Sequence, residues 1–141
     1  MLLIAGWIFL FGNQAACADT KTHYLAIHDD ESDSARVNLA LNNVQNVGKD
    51  RDAKGENDLI EVITNGAGLE MYTAHSPVKS RIEAISLGME DEIFSAYGNT
   101  HRKMSKKAGK TITLIEETKI VPYGVIRLMK PHEHDYSYLR P

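Results

Sequence analysis

Short runs rich in Ile and Val alternate along this chain with segments whose apolar residues recur at helical spacing. Leu59–Thr64 is rich in Ile and Val and shows little alternation of apolar and polar residues, as strands buried on both faces do. Val37, Ala40, Leu41 and Val44 fall on one side of a helix over Ser34–Val47. Strands that alternate with helices predict a mostly parallel sheet covered on both faces, an α/β fold built as a three-layer sandwich.

The same patterns set the order of the elements. Gly48 is expected to stop the first helix, whose cap is Ser32 or Asp33, and Lys49–Asp58 is expected to be a charged surface loop. Val78, Ile82, Ile85 and Leu87 are expected on the inner side of the helix that opens at Ser76-Pro77 and closes at Gly88. Thr111–Ile115 is compatible with either a strand or a helix. The predicted strands are His23–His28, Leu59–Thr64, Glu92–Tyr97, Thr118–Tyr123 and a short closing strand at Tyr136–Leu139, and the other predicted helices are Leu69–Thr73, Asn99–Lys107 and Val125–Lys130, the last ended by Pro131.

The length and charge of the chain narrow the classes of function. The chain has 141 residues, no repeat and no low-complexity tract, so we predict a single domain over residues 19–141. The net charge of -3 gives no basic excess for phosphate binding, and no nucleic-acid partner is expected.

Residues 1–18 differ in kind from the rest of the chain. An apolar run, Leu2–Phe11, precedes small residues that end in Ala16-Cys17-Ala18, which suits cleavage by signal peptidase before Asp19. A run of about ten residues is half of what a membrane-spanning helix needs, so no membrane span is expected after cleavage. No Lys or Arg precedes the run, so the positively charged segment that usually begins a signal peptide is missing. The alternative to cleavage before Asp19 is a lipoprotein signal, in which Cys17 is acylated. The sequence therefore predicts export to the periplasm.

Ligands of parallel α/β sheets collect beyond the carboxyl ends of the strands. The predicted strand ends bring together one set of candidate pocket residues: His28, Asp29, Asn65, Gly66, Tyr97, Gly98, Asn99 and Tyr123. A small anion is the expected occupant, and no cofactor is predicted.

Two motifs at these strand ends each have two interpretations. Asp29, Asp30 and Glu31 would suit a hard cation such as Mg²⁺, or would serve the start of the following helix through its dipole. Gly66-Ala67-Gly68 would cradle an anion on its backbone amides, or would simply make a tight turn. A phospho-accepting receiver domain would need a further Asp where Tyr97 stands.

Two helices carry distinctive polar faces. Asn38, Asn42 and Gln45 or Asn46 form an amide stripe on the first helix, which fits a subunit contact or a solvated face. The helix after Tyr97 is made basic by His101, Arg102, Lys103, Lys106, Lys107 and Lys110, and it fits an anion-attracting patch or a solvated face. His132 and His134 have no cysteine partner, and no metal site is predicted.

Six segments resemble one family in their order and spacing. They are Arg36–Asn46, Gly66–Leu69, Ser76–Val78, Phe94–Thr100, Val121–Val125 and Tyr136–Pro141. The sequence is similar to the DsrE/DsrF-like sulfur-relay family over nearly the whole chain after residue 18. The resemblance implies an α/β sandwich that assembles as a homo-oligomer or with paralogous subunits.

The resemblance also implies sulfur transfer through a cysteine after the third strand, at the start of a helix. Here that position is Tyr97, and the only cysteine is Cys17. A phenol cannot form a persulfide, so this activity is not expected. We therefore expect a non-catalytic binding or partner subunit of a sulfur-related system. The alternative is an enzyme of unknown reaction that uses Tyr97, His28 or Asp29 as acid–base groups.

Overall fold

Five parallel strands form one sheet in the computed structural model of this protein, which describes residues 20–122, Met129 and residues 136–141. The strand order across the sheet is β4-β3-β2-β1-β5. The strands are β1 Thr22–Asp29, β2 Asn57–Thr64, β3 Glu92–Tyr97, β4 Thr118–Val121 and β5 Ser137–Leu139. This architecture confirms the α/β class with a parallel sheet and agrees with a three-layer sandwich.

Three α-helices and one 3-10 helix connect the first four strands. The helices are α1 Ser34–Lys54, the 3-10 helix Gly66–Tyr72, α2 Lys79–Gly88 and α3 Gly98–Ala108. Asp33 caps α1, because its carboxylate accepts hydrogen bonds from the backbone N–H groups of Ala35 and Arg36 at 3.1 and 3.0 Å. None of the helices in the described part of the chain is both long and apolar enough to cross a membrane.

The sheet has two faces with different surroundings. The helix face carries Ile27, Ile60, Val62, Phe94 and Ala96, which pack against α1, α2 and the 3-10 helix. Successive strand residues point to opposite sides, and the pairing register aligns the alternate residues of neighbouring strands. The other face, which we call the tyrosine face, therefore carries Ala26, His28, Glu61, Ile63, Ser95 and Tyr97.

The helix face holds the main hydrophobic core. Val37, Leu41 and Val44 of α1 and Ile82 and Ile85 of α2 are buried against the strands. Burying each such aliphatic side chain contributes about 1.5–3 kcal/mol, so this face contributes strongly to the stability of the fold. The predicted inward set of α2 is confirmed except for Leu87, which is 90% exposed.

The end of α1 was predicted wrongly. Gly48 does not stop the helix, which continues to Lys54, and Gly55 ends it in the left-handed conformation with a φ of 64°. Gly48 is buried, and a Cβ there would overlap the end of the Met89 side chain. The predicted loop Lys49–Asp58 is thus mostly helix, and β2 begins at Asn57. Gly48 therefore lies under the flexible end of the Met89 side chain, whereas the left-handed backbone at Gly55 favours glycine.

The amide stripe on α1 binds α2. Arg81 donates to the side-chain oxygens of Asn38, Asn42 and Gln45 at 2.8, 2.5 and 2.7 Å, and to the Asn38 carbonyl oxygen at 3.3 Å. Neither interpretation of the stripe from sequence included this contact inside the chain. Asn46 is exposed.

Other predicted elements are close to the observed ones. Glu92–Tyr97 forms β3 as predicted, and the closing strand is observed as β5. Thr111–Ile115 is neither strand nor helix, although Leu114 makes an isolated bridge to Thr73. The short helix predicted at Leu69–Thr73 is a 3-10 helix that begins three residues earlier. Tyr123 and Pro131 lie outside the described residues, as does all but Met129 of the helix predicted over Val125–Lys130.

Candidate functional site

The carboxyl ends of β1, β2 and β3 place seven of the eight predicted pocket residues along one rim of the sheet, which we call the carboxyl rim. His28 and Asp29 end β1, and Asn65 and Gly66 follow β2. Tyr97 ends β3, and Gly98 and Asn99 begin α3. Tyr123 lies outside the described residues. The side chains at the carboxyl rim do not all lie on the same side of the sheet. His28 and Tyr97 lie on the tyrosine face, whereas Asp29 lies on the helix face.

His28 is held by hydrogen bonds on both ring nitrogens. Its Nδ1 lies 2.8 Å from the Tyr138 hydroxyl, and its Nε2 lies 3.2 Å from Asn65 Oδ1. A carboxamide oxygen only accepts, so this arrangement calls for a proton on Nε2 and lets Nδ1 accept from Tyr138. The imidazole is therefore oriented by β5 on one side and by the loop after β2 on the other.

Tyr97 is the most unusual side chain at the rim. It is 5% exposed, and its ring packs with Ala26 and Ile63 on the tyrosine face. Its hydroxyl is buried, with no hydrogen-bond partner among the described residues. Burial raises the pKa of Tyr97 well above its ordinary value, and the nearby Tyr138 and Glu61 raise it further. The phenol therefore stays protonated across the physiological range and remains a hydrogen-bond donor.

A buried carboxylate on the same face was missed by the sequence analysis. Glu61 is 1% exposed, in the middle of β2, and accepts a hydrogen bond from the Ser95 hydroxyl of β3. The only sequence signal for it is a charged residue in an otherwise apolar strand, Leu59–Thr64. A buried carboxylate needs such partners, because isolated charges are costly inside a protein.

Asp29 is fully buried on the helix face. Its Oδ1 accepts from the Glu31 backbone N–H at 3.1 Å, and its Oδ2 has no partner among the described residues. Burial raises the pKa of Asp29, against the opposing effects of that hydrogen bond and of Arg36. The hydroxyl of Thr64, paired with Asp29 in register, is also without a partner in that part of the chain.

The other acids after β1 have local partners. Asp30 pairs with Arg140 at 2.9 Å, and Glu31 pairs with Arg36 at 2.8 Å. Across residues 20–122 and 136–141, no group of three or more His, Cys, Asp or Glu side chains is arranged to hold a metal ion. These acids join the start of α1 to the segment after β5.

The glycines at the rim are explained by close packing and by backbone conformation. A Cβ at Gly68 would lie within 3 Å of the Asp29 main chain, and a Cβ at Gly98 would lie 3.2 Å from the Val121 carbonyl oxygen. Gly66 has a φ of 52°, and its N–H donates to the Thr100 hydroxyl at 3.3 Å. The tight-turn interpretation therefore accounts for this motif. α3 begins one residue earlier than predicted, with Tyr97 at its N-cap position.

A second concentration of titratable groups lies at the opposite end of the strands, where β2 and β3 begin. A cavity of about 340 Å³ there is lined by Asp52, Asp58, Glu90, Asp91 and Glu92, among others; we call it the acidic cavity. Burial raises the pKa of Glu92 to about 7, and Asp58, Asp91 and Asp52 push it in the same direction. The fold brings these acids together from three separate segments, so they were not among the site residues predicted from the sequence.

Comparisons with known proteins bear on the fold. No family model matches the chain, and no curated protein matches it. The chain is similar to the solved structure of MTH1491, a protein of unknown function from Methanobacterium thermoautotrophicum, with a TM-score of 0.71 and 25% sequence identity. The match covers 84% of this chain and 99% of that one. This chain therefore shares the α/β fold of that archaeal protein.

Proposed function

We propose that this protein is a non-catalytic binding subunit of a sulfur-related system, similar to DsrE/DsrF-like proteins, in which Tyr97 stands where a sulfur carrier has cysteine. The observation that carries the proposal is the Tyr97 hydroxyl, which is buried and unpartnered among the described residues. Leaving a buried donor unsatisfied costs about 1–3 kcal/mol. A ligand with an acceptor atom at this place would recover that free energy.

The surroundings of Tyr97 favour a small anionic or sulfur-containing ligand. Tyr97 occupies the N-cap position of α3, and the first backbone N–H groups of an α-helix have no partner within the helix. These groups and the helix dipole attract negative charge. A phenol held in its protonated form adds one more donor, so the position is suited to an oxyanion or to a polarisable sulfur atom.

The alternative proposal, an enzyme using Tyr97, His28 or Asp29 as acid–base groups, has less support. A general base works best with a pKa near the operating pH, and the pKa of Tyr97 is moved far from it. Asp29 lies on the other face of the sheet from His28 and Tyr97, so the three groups do not converge. The hydrogen bond between Ser95 and Glu61 would favour an activated hydroxyl, but Ser95 is fully buried.

Thiosulfate, a small anion that contains sulfur, tests the binding proposal. We expect it to bind the full-length protein in a calorimetric titration. Tyr97→Phe should weaken binding about tenfold, since it deletes one hydrogen bond to a charged acceptor. Tyr24→Phe is the matched control, because Tyr24 is on the same face and its ring packs at a tilt against Tyr136, with ring centroids 5.0 Å apart. Equal loss in both variants, or no binding at all, would contradict the proposal.

We also propose that the protein is exported and cleaved before Asp19, and that it assembles into oligomers. The apolar run Leu2–Phe11 and the Ala16-Cys17-Ala18 site support export. The family resemblance supports assembly. Intact mass of the protein from a Gram-negative periplasm checks the first, and a diacylglyceryl mass on Cys17 would favour a lipoprotein instead. Light scattering checks the second, and a monomer at micromolar concentration would remove it.

A further inference from the structure

A second cavity, of about 300 Å³, lies on the helix side of the sheet, away from Tyr97. It is formed by the start of α1, the end of the 3-10 helix and the start of α2. Its lining combines apolar side chains, serine hydroxyls and one cation: Val37, Met71, Val78, Ser32, Ser34 and Arg81. We call it the Arg81 cavity. Its volume is at the lower end of the range for small-molecule sites.

The charge of Arg81 is held in place without being neutralised. Among the described residues, its guanidinium makes four hydrogen bonds, all to neutral amide oxygens of Asn38, Asn42 and Gln45. No carboxylate among the described residues lies within 4 Å of it, whereas Arg36, Arg51 and Arg140 each pair with a carboxylate. The three amides fix the position of the guanidinium, and since no carboxylate contacts it, its positive charge can attract an anion in the cavity.

The rest of the lining limits what the anion is. Ser34 is the first residue of α1, so the positive end of the helix dipole lies beside the cavity. Val37, Met71 and Val78 form an apolar wall that is itself at least nine-tenths buried. Glu70 also lines the cavity and carries a negative charge, which disfavours a ligand with several charges. A single negative charge on a short apolar body meets all of these conditions.

We propose that the Arg81 cavity binds a small organic monoanion, such as a short-chain carboxylate, with its charged group toward Arg81 and its apolar chain against Val37, Met71 and Val78. The four contacts already use the terminal N–H groups of the guanidinium. The attraction is therefore mainly between charges, and the Ser32 and Ser34 hydroxyls supply hydrogen-bond donors. This site is separate from the Tyr97 position and is independent of the proposed function.

Hexanoate is the probe, and 1-hexanol is its neutral match of the same chain length. In amide-detected NMR titrations of the full-length protein, hexanoate should shift the backbone signals of Val37, Met71 and Val78. Hexanol should bind the same residues about tenfold more weakly, because it lacks the charge. Equal affinities, shifts confined to other residues, or no shifts up to about 10 mM would overturn the proposal.

Variants of Arg81 separate the contribution of its charge from the contribution of the apolar cavity wall. Arg81→Met should remove the preference for hexanoate over hexanol while hexanol still binds, and Arg81→Lys should keep part of the preference. Arg102→Met is the matched control, because Arg102 lies on α3 and contacts Asn99. The same loss of preference in Arg102→Met would mean that general charge is responsible and would refute the site.

One further variant covers the case in which Arg81→Met does not fold. Ser34→Tyr adds a large ring to the lining of the cavity, and the Ser34 side chain makes none of the four Arg81 contacts. It should abolish the shifts from both probes, and unchanged binding would refute the site. Tyr97→Phe should leave hexanoate binding unchanged, so failure at one site is distinguishable from failure at the other.

Discussion

Gly68 of the 3-10 helix lies directly against the main chain of Asp29 at the end of β1. A Cβ built on Gly68 would be 2.8 Å from the Asp29 carbonyl carbon and 3.1 Å from the Asp30 Cα. Carbon atoms outside covalent bonds do not approach that closely, so only glycine fits without movement of the backbone. This contact seats the turn after β2 on the end of β1 and fixes the spacing of the carboxyl rim.

Replacing Gly68 with alanine should therefore destabilise the protein. We expect Gly68→Ala to lower the free energy of unfolding by about 1–3 kcal/mol, because the new methyl group meets main-chain atoms that cannot rotate away. Gly88→Ala is the control, since a Cβ there meets nothing within 4 Å. Urea denaturation measures both, and a Gly68→Ala variant as stable as the wild type would contradict the contact.

Two buried tyrosines give opposite predictions for the same substitution. The Tyr72 hydroxyl donates to the Val62 carbonyl oxygen at 2.8 Å, whereas the Tyr97 hydroxyl has no partner in the described part of the chain. Tyr72→Phe should cost about 1 kcal/mol, and Tyr97→Phe should leave stability unchanged or raise it slightly. Thermal unfolding of the two variants tests the difference. A larger loss for Tyr97→Phe would indicate a partner for its hydroxyl.

Glu92 should make stability depend on pH. Its pKa in the folded protein is about 7, above its ordinary 4.5, so the folded state binds this proton more tightly than the unfolded state does. The contribution of Glu92 is therefore most favourable below about pH 4.5 and is lost as the pH rises through 7. Between about pH 5 and about pH 8, we expect a loss of about 1 kcal/mol after allowance for solvent screening.

Glu92→Gln should remove that slope and stabilise the protein at about pH 8. Glu90→Gln is the control, because it removes the same charge from an exposed position of the acidic cavity. Denaturation curves at several pH values compare the variants. If Glu90→Gln flattens the slope as much as Glu92→Gln, net charge rather than the burial of Glu92 is the cause.

The chemistry of position 97 is tested in a chain without any other thiol, made by Cys17→Ser. Incubated with polysulfide, this protein should gain no mass, because a phenol carries no persulfide. Adding Tyr97→Cys should give an adduct of about one sulfur atom, since a thiol at the start of α3 gains thiolate character.

Ser95→Cys, two residues earlier on the same face, should stay unmodified because Ser95 is fully buried within β3. An adduct on the cysteine-free protein would refute the binding-subunit proposal. A Tyr97→Cys variant that stays unmodified would show that α3 does not activate a thiol there. Intact-mass spectrometry distinguishes these results.

The sequence predicted the strands better than the helix ends. Strand runs such as Glu92–Tyr97 are short, contain Ile and aromatic residues that favour strands, and are followed by a turn residue such as Gly98. The end of α1 was predicted wrongly because Gly48 and Gly55 look alike in sequence. Only the contact with Met89 and the left-handed φ at Gly55 separate a packing glycine from a capping one.

At the site, sequence reasoning found the positions but not the partners. The carboxyl ends of parallel strands share an edge, which placed His28, Asn65 and Tyr97 at one rim. The hydrogen bonds of His28 to Tyr138, of Glu61 to Ser95 and of Arg81 to the amide stripe depend on strand register and on helix packing. Neither is encoded in local periodicity, so these pairs became visible only in the structure.

The pairing of β5 with β1 affects how the chain folds. His28 and Tyr138 are 110 residues apart in sequence, yet they share a hydrogen bond across neighbouring strands. A folding chain can pair β1 with β2 through local contacts, but the described strand that pairs with the other side of β1 is β5, Ser137–Leu139, which lies much further along the sequence. A chain that lacks β5 exposes the unpaired N–H and C=O groups on that side of β1, and these groups can pair with strands of other chains. Arrival of β5 therefore moves the edge of the sheet from the eight-residue β1 to a strand of three residues, and a short edge strand offers other chains less backbone to pair with.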